Sequence, residues 1–315
     1  MSSTTITLLR EAAAKRQPQR AWTNALRLVN GYGDGLDGLV LEQHDQHFVA
    51  QVFDARWLEE KDDLLSFVKE MGACYFIIKD RTQGASAKPE EIGTQVLIDG
   101  DPLTVVTEHG VKFSVNMNDT LNTGLFLDMR ANRQKVAALA RGKKILNLFA
   151  YTCSFGVHCR VQGAGAVVNV DVSRKVLERG RVNYDLNALV AEKNEFIRAD
   201  AVEYLERAVK KDNMFDMIIL DPPSFARYEG RVFSVMKDLP RLLGMAAQVL
   251  EPKGYIFVAT NHSEMLHSRL QDMVKGAARG RKVLGMECLG QDVDYPGTGM
   301  MAESCLTAVL AQVSG

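Results

Sequence analysis

The chain has 315 residues and a formal net charge of -1, with 46% hydrophobic and 24% charged residues. A chain of this length and composition can bury a full hydrophobic core, so it needs no disulfide or metal to fold. Its near-neutral charge neither requires nor excludes a nucleic-acid partner, since a local basic patch can lie on a neutral protein. The five cysteines form no Cys-x-x-Cys pair, and no segment approaches the roughly 20 apolar residues of a membrane span. We therefore expect a cytoplasmic protein with no membrane partner.

Residues 1–116 predict a smaller α+β domain, a candidate for binding the substrate or RNA. Periodicity indicates its elements, which are helices over Thr4–Arg16 and Leu58–Met71 and strands over Leu39–Glu42, Phe48–Phe53, Cys74–Lys79, Leu103–Thr107 and Val111–Asn116. Loops are expected over Gly31–Gly38 and Thr82–Gly93. His44 and His47 have no third ligand nearby, so no metal site is expected.

The N-terminal segment collects basic side chains, which are Arg10, Lys15, Arg16, Arg20 and Arg27. One interpretation is a solvated helix face, and another is an edge that contacts phosphates. The charge pattern favours the first interpretation and leaves the second open.

Residues 117–315 predict an α/β domain, because short apolar segments alternate with helical patterns from Lys143 onward. The predicted strands are Lys144–Phe149, Ala166–Asp171, Glu195–Arg198, Phe215–Leu220 and Tyr255–Thr260. The predicted helices are Phe155–Gln162, Ser173–Asn187, Ala201–Lys210 and Val232–Leu250. Such alternation indicates a doubly wound, mostly parallel sheet, which Val283–Leu289 and Cys305–Ala311 could close as an antiparallel pair.

The loop after the first of these strands is the first candidate site, because ligands bind such sheets beyond the carboxyl ends of the strands. It runs from Asn147 to Gly156 and contains a single glycine. A pyrophosphate-binding loop needs Gly-x-Gly-x-x-Gly, so bulky Phe149 and Tyr151 count against a dinucleotide and allow a smaller nucleoside. An ordinary βα turn is the alternative interpretation.

The second and third strands each end in an aspartate. Asp171, followed by Ser173, could accept hydrogen bonds from both hydroxyls of a ribose. Asp200, followed by Ala201, could reach an adenine amino group. Either aspartate could instead cap the helix that follows it.

The fourth strand ends in Asp221-Pro-Pro-Ser-Phe225, the most specific of these signals. Two consecutive prolines cannot continue a central strand, and they stiffen the turn. Such a turn fixes a carboxylate and backbone carbonyls beside a planar substrate. Phe225 could stack on a base, a contact worth roughly 1–3 kcal/mol. The alternative is that Asp221 is purely structural. The candidate site residues at the ends of the other three strands count against this alternative.

Together these motifs resemble a class I S-adenosylmethionine-dependent methyltransferase. More narrowly, the chain resembles the bacterial large-subunit rRNA methyltransferase family, which includes guanine-N7 and cytosine-C5 enzymes. The resemblance extends from about Leu28 to the C-terminus and is strongest at Asn118–Arg130, Asn147–Gly156, Asp171–Ser173 and Asp221–Phe225. It implies a Rossmann-like sheet with an antiparallel last strand, S-adenosylmethionine as cofactor and large-subunit rRNA as partner, and it makes a homodimer plausible.

The resemblance also implies a set of cofactor-binding residues, which are Phe126, Arg130, Asn147, Phe149, Tyr151, Thr152, Gly156, Asp171, Ser173, Asp200, Ala201 and Asp221. Arg130 and the segment before it would hold the methionine end of the cofactor. Asp171 would hold the ribose and Asp200 the adenine, while Asp221 would face the methyl group. The alternative for Arg130 is a surface position on the helix from Asp128.

Three departures from the family pattern matter. The chain is expected to lack the N-terminal PUA RNA-binding domain of many relatives, so RNA binding would fall to residues 28–116 and the basic N-terminus. The glycines often found in the first loop are Cys153 and Ser154 here, which puts the local backbone geometry in question. Finally, the stretch after the fifth strand carries Asn261 where cytosine-C5 relatives have a cysteine.

That last departure disfavours C5 chemistry, which needs a thiolate to attack the ring. We expect direct in-line transfer to a base nitrogen resembling guanine N7, which needs positioning rather than a covalent intermediate. Asp221, the Pro222 carbonyl and Asn261 would orient a flipped-out base, and Phe225 would stack on it.

Other functions stay open at this point. An amino-group methyltransferase that acts on another RNA or on a protein is the main alternative, because a carboxylate and a carbonyl can also accept N–H bonds. A non-catalytic cofactor- or RNA-binding module would have no need of the Asp221 turn. A nicotinamide dehydrogenase would need a glycine-rich pyrophosphate-binding loop, and the absence of that motif from the sequence counts against this class.

Overall fold

The computed structural model describes residues 4–84, 91–228, 231–278, 280–297 and 306–315, with side chains left out over 226–232. The chain divides into two compact units. The first is Met1–Arg130 with Gln291–Ser304, and the second is Ala131–Gly290 with Cys305–Gly315. Within the described residues, no helix has the length and apolar character needed to cross a bilayer.

The first unit contains a five-stranded sheet, a separate hairpin and three helices among its described residues. The strands are β1 (Ala25–Asn30), β2 (Leu39–His44), β3 (His47–Val52), β4 (Tyr75–Asp80), β5 (Gly93–Ile98), β6 (Leu103–Glu108) and β7 (Val111–Asn116). The helices are α1 (Thr4–Lys15), α2 (Arg56–Glu59) and α3 (Lys61–Glu70). Strands β1 to β5 lie side by side in chain order, and only the β3–β4 pair is parallel. The α+β prediction for this region is confirmed, although β1 and β5 were not predicted.

Helices α1 and α3 cover the apolar face of this sheet. Their buried residues recur at helical spacing, as in Leu9, Ala12 and Ala13 of α1, which produces one apolar stripe. Strands β6 and β7 form a hairpin whose turn is His109-Gly110. Both turn residues have positive φ, 49° and 81°, as a tight type I′ turn requires.

The basic N-terminal side chains mostly serve the fold. Arg16 is 1% exposed and forms a bidentate ion pair with Asp34, with both N···O distances 2.6 Å. Arg27 is paired with Glu42 at 2.8 Å. Neither interpretation of the basic segment fits these two arginines, since a buried pair is neither solvated nor available to phosphate. These two ion pairs could not be predicted from the sequence, because each acidic partner lies much farther along the chain than the three or four residues that separate neighbours on a helix.

The second unit is a seven-stranded sheet with helices on both sides. Its strands are β8 (Lys144–Leu148), β9 (Ala166–Asp171), β10 (Phe196–Arg198), β11 (Phe215–Leu220), β14 (Leu250–Thr260), β15 (Val283–Leu289) and β16 (Thr307–Val313), and a small hairpin adds β12 (Phe225–Tyr228) and β13 (Arg231–Ser234). The helices are α4 (Arg130–Ala137, which begins on the last residue of the first unit), α5 (Ser154–Val161), α6 (Arg174–Leu186), α7 (Ala201–Lys210), α8 (Val235–Gln248) and α9 (His267–Ala277).

The strand order in this sheet is β10-β9-β8-β11-β14-β16-β15. The first five are parallel, while β16 is antiparallel to both β14 and β15. The predicted doubly wound sheet with an antiparallel last strand is therefore confirmed. The crossover between β8 and β11 reverses the winding direction, which creates a switch point at the carboxyl edge of these strands.

Candidate functional site

The strand register brings the predicted side chains to one edge of the second unit. One row of paired residues crosses the parallel strands, and its members are Ile197, Val170, Leu148, Leu220 and Val258. The residue that follows this row is Asp171 on β9, Phe149 on β8 and Asp221 on β11. Three predicted site residues therefore lie one position beyond the same row of paired residues, at the carboxyl edge of the sheet and beside the switch point.

The loop after β8 has an unusual backbone. Phe149, Tyr151 and Cys153 all have positive φ, at 57°, 49° and 62°. Non-glycine residues in this region cost on the order of 1–3 kcal/mol each and tend to occur at functional sites. Cys153 thus adopts a glycine-like conformation at a position where the family resemblance leads us to expect glycine. The loop keeps that shape without the glycine itself.

Hydrogen bonds from the neighbouring elements hold this strained loop. The Asp171 carboxylate accepts the Tyr151 N–H on Oδ2 and the Ser173 N–H on Oδ1, both at 2.9 Å. The buried amide of Asn183 on α6 donates to the Thr152 carbonyl at 3.0 Å. Asp171 is therefore not the cap of α6, and it organises two loops of the site at once.

Beneath the loop lies a buried polar chain. Asn147 donates to Asn169 at 2.9 Å, and Asn169 donates to the Tyr184 hydroxyl at 3.1 Å. Gly156 lets α5 approach this chain, because a Cβ there would lie 2.2 Å from Asn169 Oδ1. Asn147 and Gly156 therefore support the loop from below.

Asp171 and Asp200 differ in the hydrogen bonds that their carboxylates accept. Burial raises the pKa of the Asp171 carboxyl, and the N–H groups of Ser173, Tyr151 and Val172 partly offset this. Asp200 caps α7, and its Oδ1 accepts from the Val202 and Glu203 N–H groups at 2.9 and 3.2 Å. The capping alternative thus describes Asp200, and a further role toward adenine stays a prediction, as it does for Ala201.

The Asp221 turn lies between β11 and the β12–β13 hairpin, which the sequence did not predict. Pro222 is buried, while Phe225 is 54% exposed at the start of β12. The Phe149 ring lies 5.6 Å from the Phe233 ring, so the hairpin also contacts the first loop. An exposed aromatic ring beside a stiff turn is suited to stacking on a planar group.

Ser224 is a residue of this turn that sequence analysis missed. Its hydroxyl donates a 2.8 Å hydrogen bond to Oδ1 of Asn261, which follows β14. The bond joins two strand ends that are 37 residues apart in the sequence. No sequence signal links the two residues, because only the pairing of β11 with β14 brings them together.

Neither cysteine near the first loop resembles a nucleophile. Cys153 is fully buried, and burial raises its pKa well above the ordinary value. Burial raises the pKa of Cys159 to about 12. A thiol in such surroundings stays protonated at neutral pH, so it lacks the thiolate that covalent catalysis needs.

Two predicted cofactor residues belong to the first unit. Phe126 is 40% exposed and has an extended backbone just before a short 3₁₀ helix. Arg130 is 1% exposed, and its guanidinium donates to Asp292 at 2.9 Å and to Asp294 at 2.7 Å. The surface alternative for Arg130 is wrong, and its role toward a cofactor stays a prediction.

No metal cluster is present among the described residues. His44 lies 3.4 Å from Glu42, and His47 bonds the Asp101 carbonyl at 2.9 Å. Both histidines are therefore explained by contacts within the first unit.

The carboxyl edge of the second unit suits a nucleoside better than a dinucleotide. Two aspartates follow adjacent strands, the loop after β8 is strained and lacks a pyrophosphate fingerprint, and a carboxylate with an aromatic ring lies beyond β11. Fold and site thus define a Rossmann-like enzyme that binds a nucleoside-containing cofactor.

Comparisons with known proteins specify the class further. The family model for S-adenosylmethionine-dependent methyltransferases matches residues 74–299. Ribosomal RNA large subunit methyltransferase I of Photobacterium profundum is 33% identical over 278 residues, covering 86% of this chain and 69% of that protein. Ribosomal RNA large subunit methyltransferase K of Neisseria meningitidis is 33% identical over 234 residues, 73% of this chain and 64% of that protein. This chain belongs to the S-adenosylmethionine-dependent methyltransferase family.

Solved structures agree on the fold. A proposed methyltransferase crystallised with SAH has a TM-score of 0.86 at 24% identity, covering 98% of this chain and 80% of that one. A methyltransferase from Agrobacterium tumefaciens has a TM-score of 0.67 at 19% identity, covering 93% and 90%. The protein is an enzyme whose cofactor is S-adenosylmethionine, and the predicted resemblance is confirmed.

Proposed function

We propose that this enzyme methylates N7 of a guanine in large-subunit ribosomal RNA. The names of the relatives support the RNA class, although they specify no atom. The observation that carries the choice of atom is the Asp221 turn, whose Ser224 is hydrogen-bonded to Asn261, while the described cysteine of the loop after β8, Cys153, is buried and has a pKa raised well above the ordinary value. A base nitrogen with a lone pair can be methylated by positioning alone.

The cofactor would bind along the loop after β8. Asp171 already accepts the Tyr151, Ser173 and Val172 N–H groups, and its two carboxylate oxygens, which together have about four lone-pair sites, keep one for a ribose hydroxyl. Thr152 and the rings of Phe149 and Tyr151 would line the nucleoside, with Asp200 and Ala201 at its adenine. When bound, S-adenosylmethionine supplies an electrophilic methyl group on a sulfonium centre.

Arg130 and Phe126 remain proposed ligands for the methionine end. Because Arg130 is paired with Asp292 and Asp294, a cofactor role requires it to share its donors or to exchange partners. Calorimetric titration of the Arg130→Lys variant tests this role. A weaker affinity with an unchanged unfolding midpoint supports it, while unchanged affinity refutes it.

Asp221 would act on charge rather than on a proton. Guanine N7 carries no hydrogen, so its methylation needs no general base, and the positive charge passes from the sulfonium to the base. A fixed carboxylate beside that path stabilises the charge as it develops. The Pro222 carbonyl and Asn261 would orient the base, and the exposed Phe225 ring would stack on it.

Residues 1–116 are proposed to bind RNA through the basic side chains that lie outside the buried Arg16 and Arg27 pairs, which are Arg10, Lys15 and Arg20. Arg10 pairs with the exposed Glu70, the Lys15 side chain is 61% exposed and lies 3.9 Å from Asp34, and Arg20 bonds Gln43. A cytoplasmic location and a homodimer remain predictions, which fractionation and light scattering can test.

An amino-group target is the second candidate, and the same turn favours it. The Asp221 carboxylate and the Pro222 carbonyl are both acceptors that could hold an N–H group. The acceptor could then be another RNA or a protein. Identification of the product separates this candidate from the first.

The test is methyl transfer from labelled S-adenosylmethionine to unmodified large-subunit rRNA, small-subunit rRNA, tRNA and total protein, with products digested to nucleosides. We expect label in 7-methylguanosine from large-subunit rRNA. Asp221→Asn should lower kcat by roughly 100-fold or more while cofactor affinity is kept. The matched control is Asp212→Asn, at an exposed turn after α7. Label in 5-methylcytidine, in an amino group or in protein would refute the proposal.

A further inference from the structure

The β6–β7 hairpin of the first unit presents one face to solvent. Side chains alternate along a strand, so Leu103, Val105 and Thr107 of β6 point to the same side. Leu103 is 54% exposed and Val105 is 42% exposed, whereas Val106 is buried. On β7, Lys112 lies opposite Thr107 and is exposed, so it belongs to the same side. This outer face of the hairpin therefore combines apolar side chains with a cation.

Trp22 lies beside the turn of the hairpin and adds an aromatic ring to the outer face. Thr23 bridges to Glu108, and both are buried on the inner side. Their chain neighbours Trp22 and His109 therefore point to the outer side. The His109 N–H donates to the Trp22 carbonyl at 2.7 Å, and the two rings stack with their centroids 5.8 Å apart. The indole is thus held in place although Trp22 is 60% exposed.

The outer face has the features of a site for single-stranded nucleic acid. An unpaired base can stack on an aromatic ring, and such stacking tolerates any base because every base has a π-face. A cation on the same face attracts the phosphate backbone, and Lys112 supplies it two residues, or roughly 7 Å, along the strand direction from His109. Bases in duplex RNA are already stacked on one another, so the ring suits an unpaired nucleotide.

We infer that Trp22 and His109 form a stacking platform for an unpaired base of the RNA, and that Lys112 contacts the phosphate backbone beside it. This inference rests on the proposed function and specifies how residues 1–116 bind RNA. All three residues belong to the first unit, so the platform is complete within that unit. Because stacking does not read base edges, the platform holds the strand without selecting its sequence.

The first measurement is the tryptophan fluorescence of the full chain, titrated with oligouridylate, a single-stranded RNA, and with duplex RNA. The chain has two tryptophans, and Trp57 is 2% exposed within the hydrophobic core of the first unit. Trp22 is therefore the one that a base can contact. We expect oligouridylate to quench the emission and duplex RNA to have little effect. The quenching should disappear in Trp22→Phe, in which Trp57 is the remaining fluorophore.

The second measurement is the Kd of fluorescein-labelled oligouridylate, obtained from anisotropy. Trp22→Ala should raise Kd roughly tenfold or more, the effect of one lost stacking contact, while Trp22→Phe should stay within a few-fold of wild type. Lys112→Met should raise Kd and lower the log–log salt dependence of binding by about one. Tyr32→Ala is the matched control, because Tyr32 is 50% exposed and lies beyond the other end of β1. The unfolding midpoint and the Kd for S-adenosylmethionine should be unchanged in every variant.

An unchanged Kd in Trp22→Ala or in Lys112→Met would overturn the inference, and so would equal quenching by duplex RNA or an equal loss of affinity in Tyr32→Ala. Product analysis separates the inference from the proposed function. If oligouridylate quenches the wild type but the label enters a base atom other than guanine N7, the proposed function alone fails. If 7-methylguanosine forms while oligouridylate neither binds nor quenches, the inference alone fails. Transfer to protein without any binding of RNA would overturn both.

Discussion

The side-chain amide of Asn183 on α6 donates a 3.0 Å hydrogen bond to the carbonyl of Thr152, in the loop after β8. Asn183 is fully buried, so its donor would be costly to leave unpaired. Because Phe149, Tyr151 and Cys153 have positive φ, the loop needs such external bonds to hold its shape. The bond therefore links the body of a helix to the conformation of the cofactor loop.

Asn183→Ala should weaken cofactor binding more than it weakens RNA binding. Loss of one buried hydrogen bond costs about 1–3 kcal/mol, part of which should appear as a roughly tenfold higher Kd for S-adenosylmethionine. Isothermal titration calorimetry measures this, with Asn194→Ala, at an exposed position, as the control. An unchanged cofactor Kd would show that the loop holds its shape without Asn183.

Gly156→Ala should destabilise the second unit. The added Cβ would lie 2.2 Å from Asn169 Oδ1, so α5 or the buried asparagine must move, at a cost of roughly 1–3 kcal/mol. Gly276 on α9 is the matched control, because nothing lies within 4 Å of its added Cβ. Gly276→Ala should leave stability unchanged or raise it by up to about 1 kcal/mol, since alanine has the higher helix propensity and Gly276 lies in the last turn of α9. Urea unfolding measures both, and equal effects would contradict the packing argument.

Lys79→Met should remove a dependence of stability on pH. Lys79 on β4 is 1% exposed and bonds the Asp119 carbonyl, and burial lowers its pKa from 10.5 to about 8. Between these values the unfolded chain binds more protons than the folded one. Stability therefore rises with pH across this window and is lost as pH falls toward 8, by up to roughly 3 kcal/mol.

Urea unfolding at several pH values between 8 and 10 checks this difference between wild type and variant. Lys69→Met, at an exposed position on α3, is the control and should leave the slope intact. Parallel curves for wild type and Lys79→Met would show that Lys79 titrates normally.

Cys153→Ala should keep methyl transfer within a few-fold of wild type. The thiol is fully buried and its pKa is raised well above the ordinary value, so it contributes packing rather than a nucleophile. The packing is tight, since a Cβ on Gly180 would lie 2.5 Å from its sulfur. Initial rates on rRNA measure the effect. Complete loss of transfer in a folded variant would point instead to a covalent mechanism.

Elements with strong local patterns could be predicted from the sequence. β9 and α7 were predicted at their observed bounds, because β9 is mostly apolar and ends at Asp171, and Asp200 caps an amphipathic α7. Helix α9 was not predicted, because its hydrophobic periodicity is weak. The β12–β13 hairpin was not predicted, because the Asp-Pro-Pro motif before it indicated a turn rather than a strand. The break at Glu60 between α2 and α3 was missed for a similar reason.

The site was predictable where it depends on strand ends. Asp171 and Asp221 follow apolar strands, so the sheet alone places them at one edge. The Ser224–Asn261 bond, the hold of Asn183 on Thr152 and the burial of Arg130 depend on residues distant in sequence. Such contacts exist only after the chain has folded, and no local pattern encodes them.

The course of the chain has a consequence for how such an enzyme can evolve. Gln291–Ser304 belongs to the first unit, although the strands on either side of it, β15 and β16, belong to the second. A gene fragment that ends at Arg130 would lack Asp294, the buried partner of that arginine. A single recombination breakpoint therefore cannot exchange either unit intact, and we expect the two to be inherited together as one interleaved module.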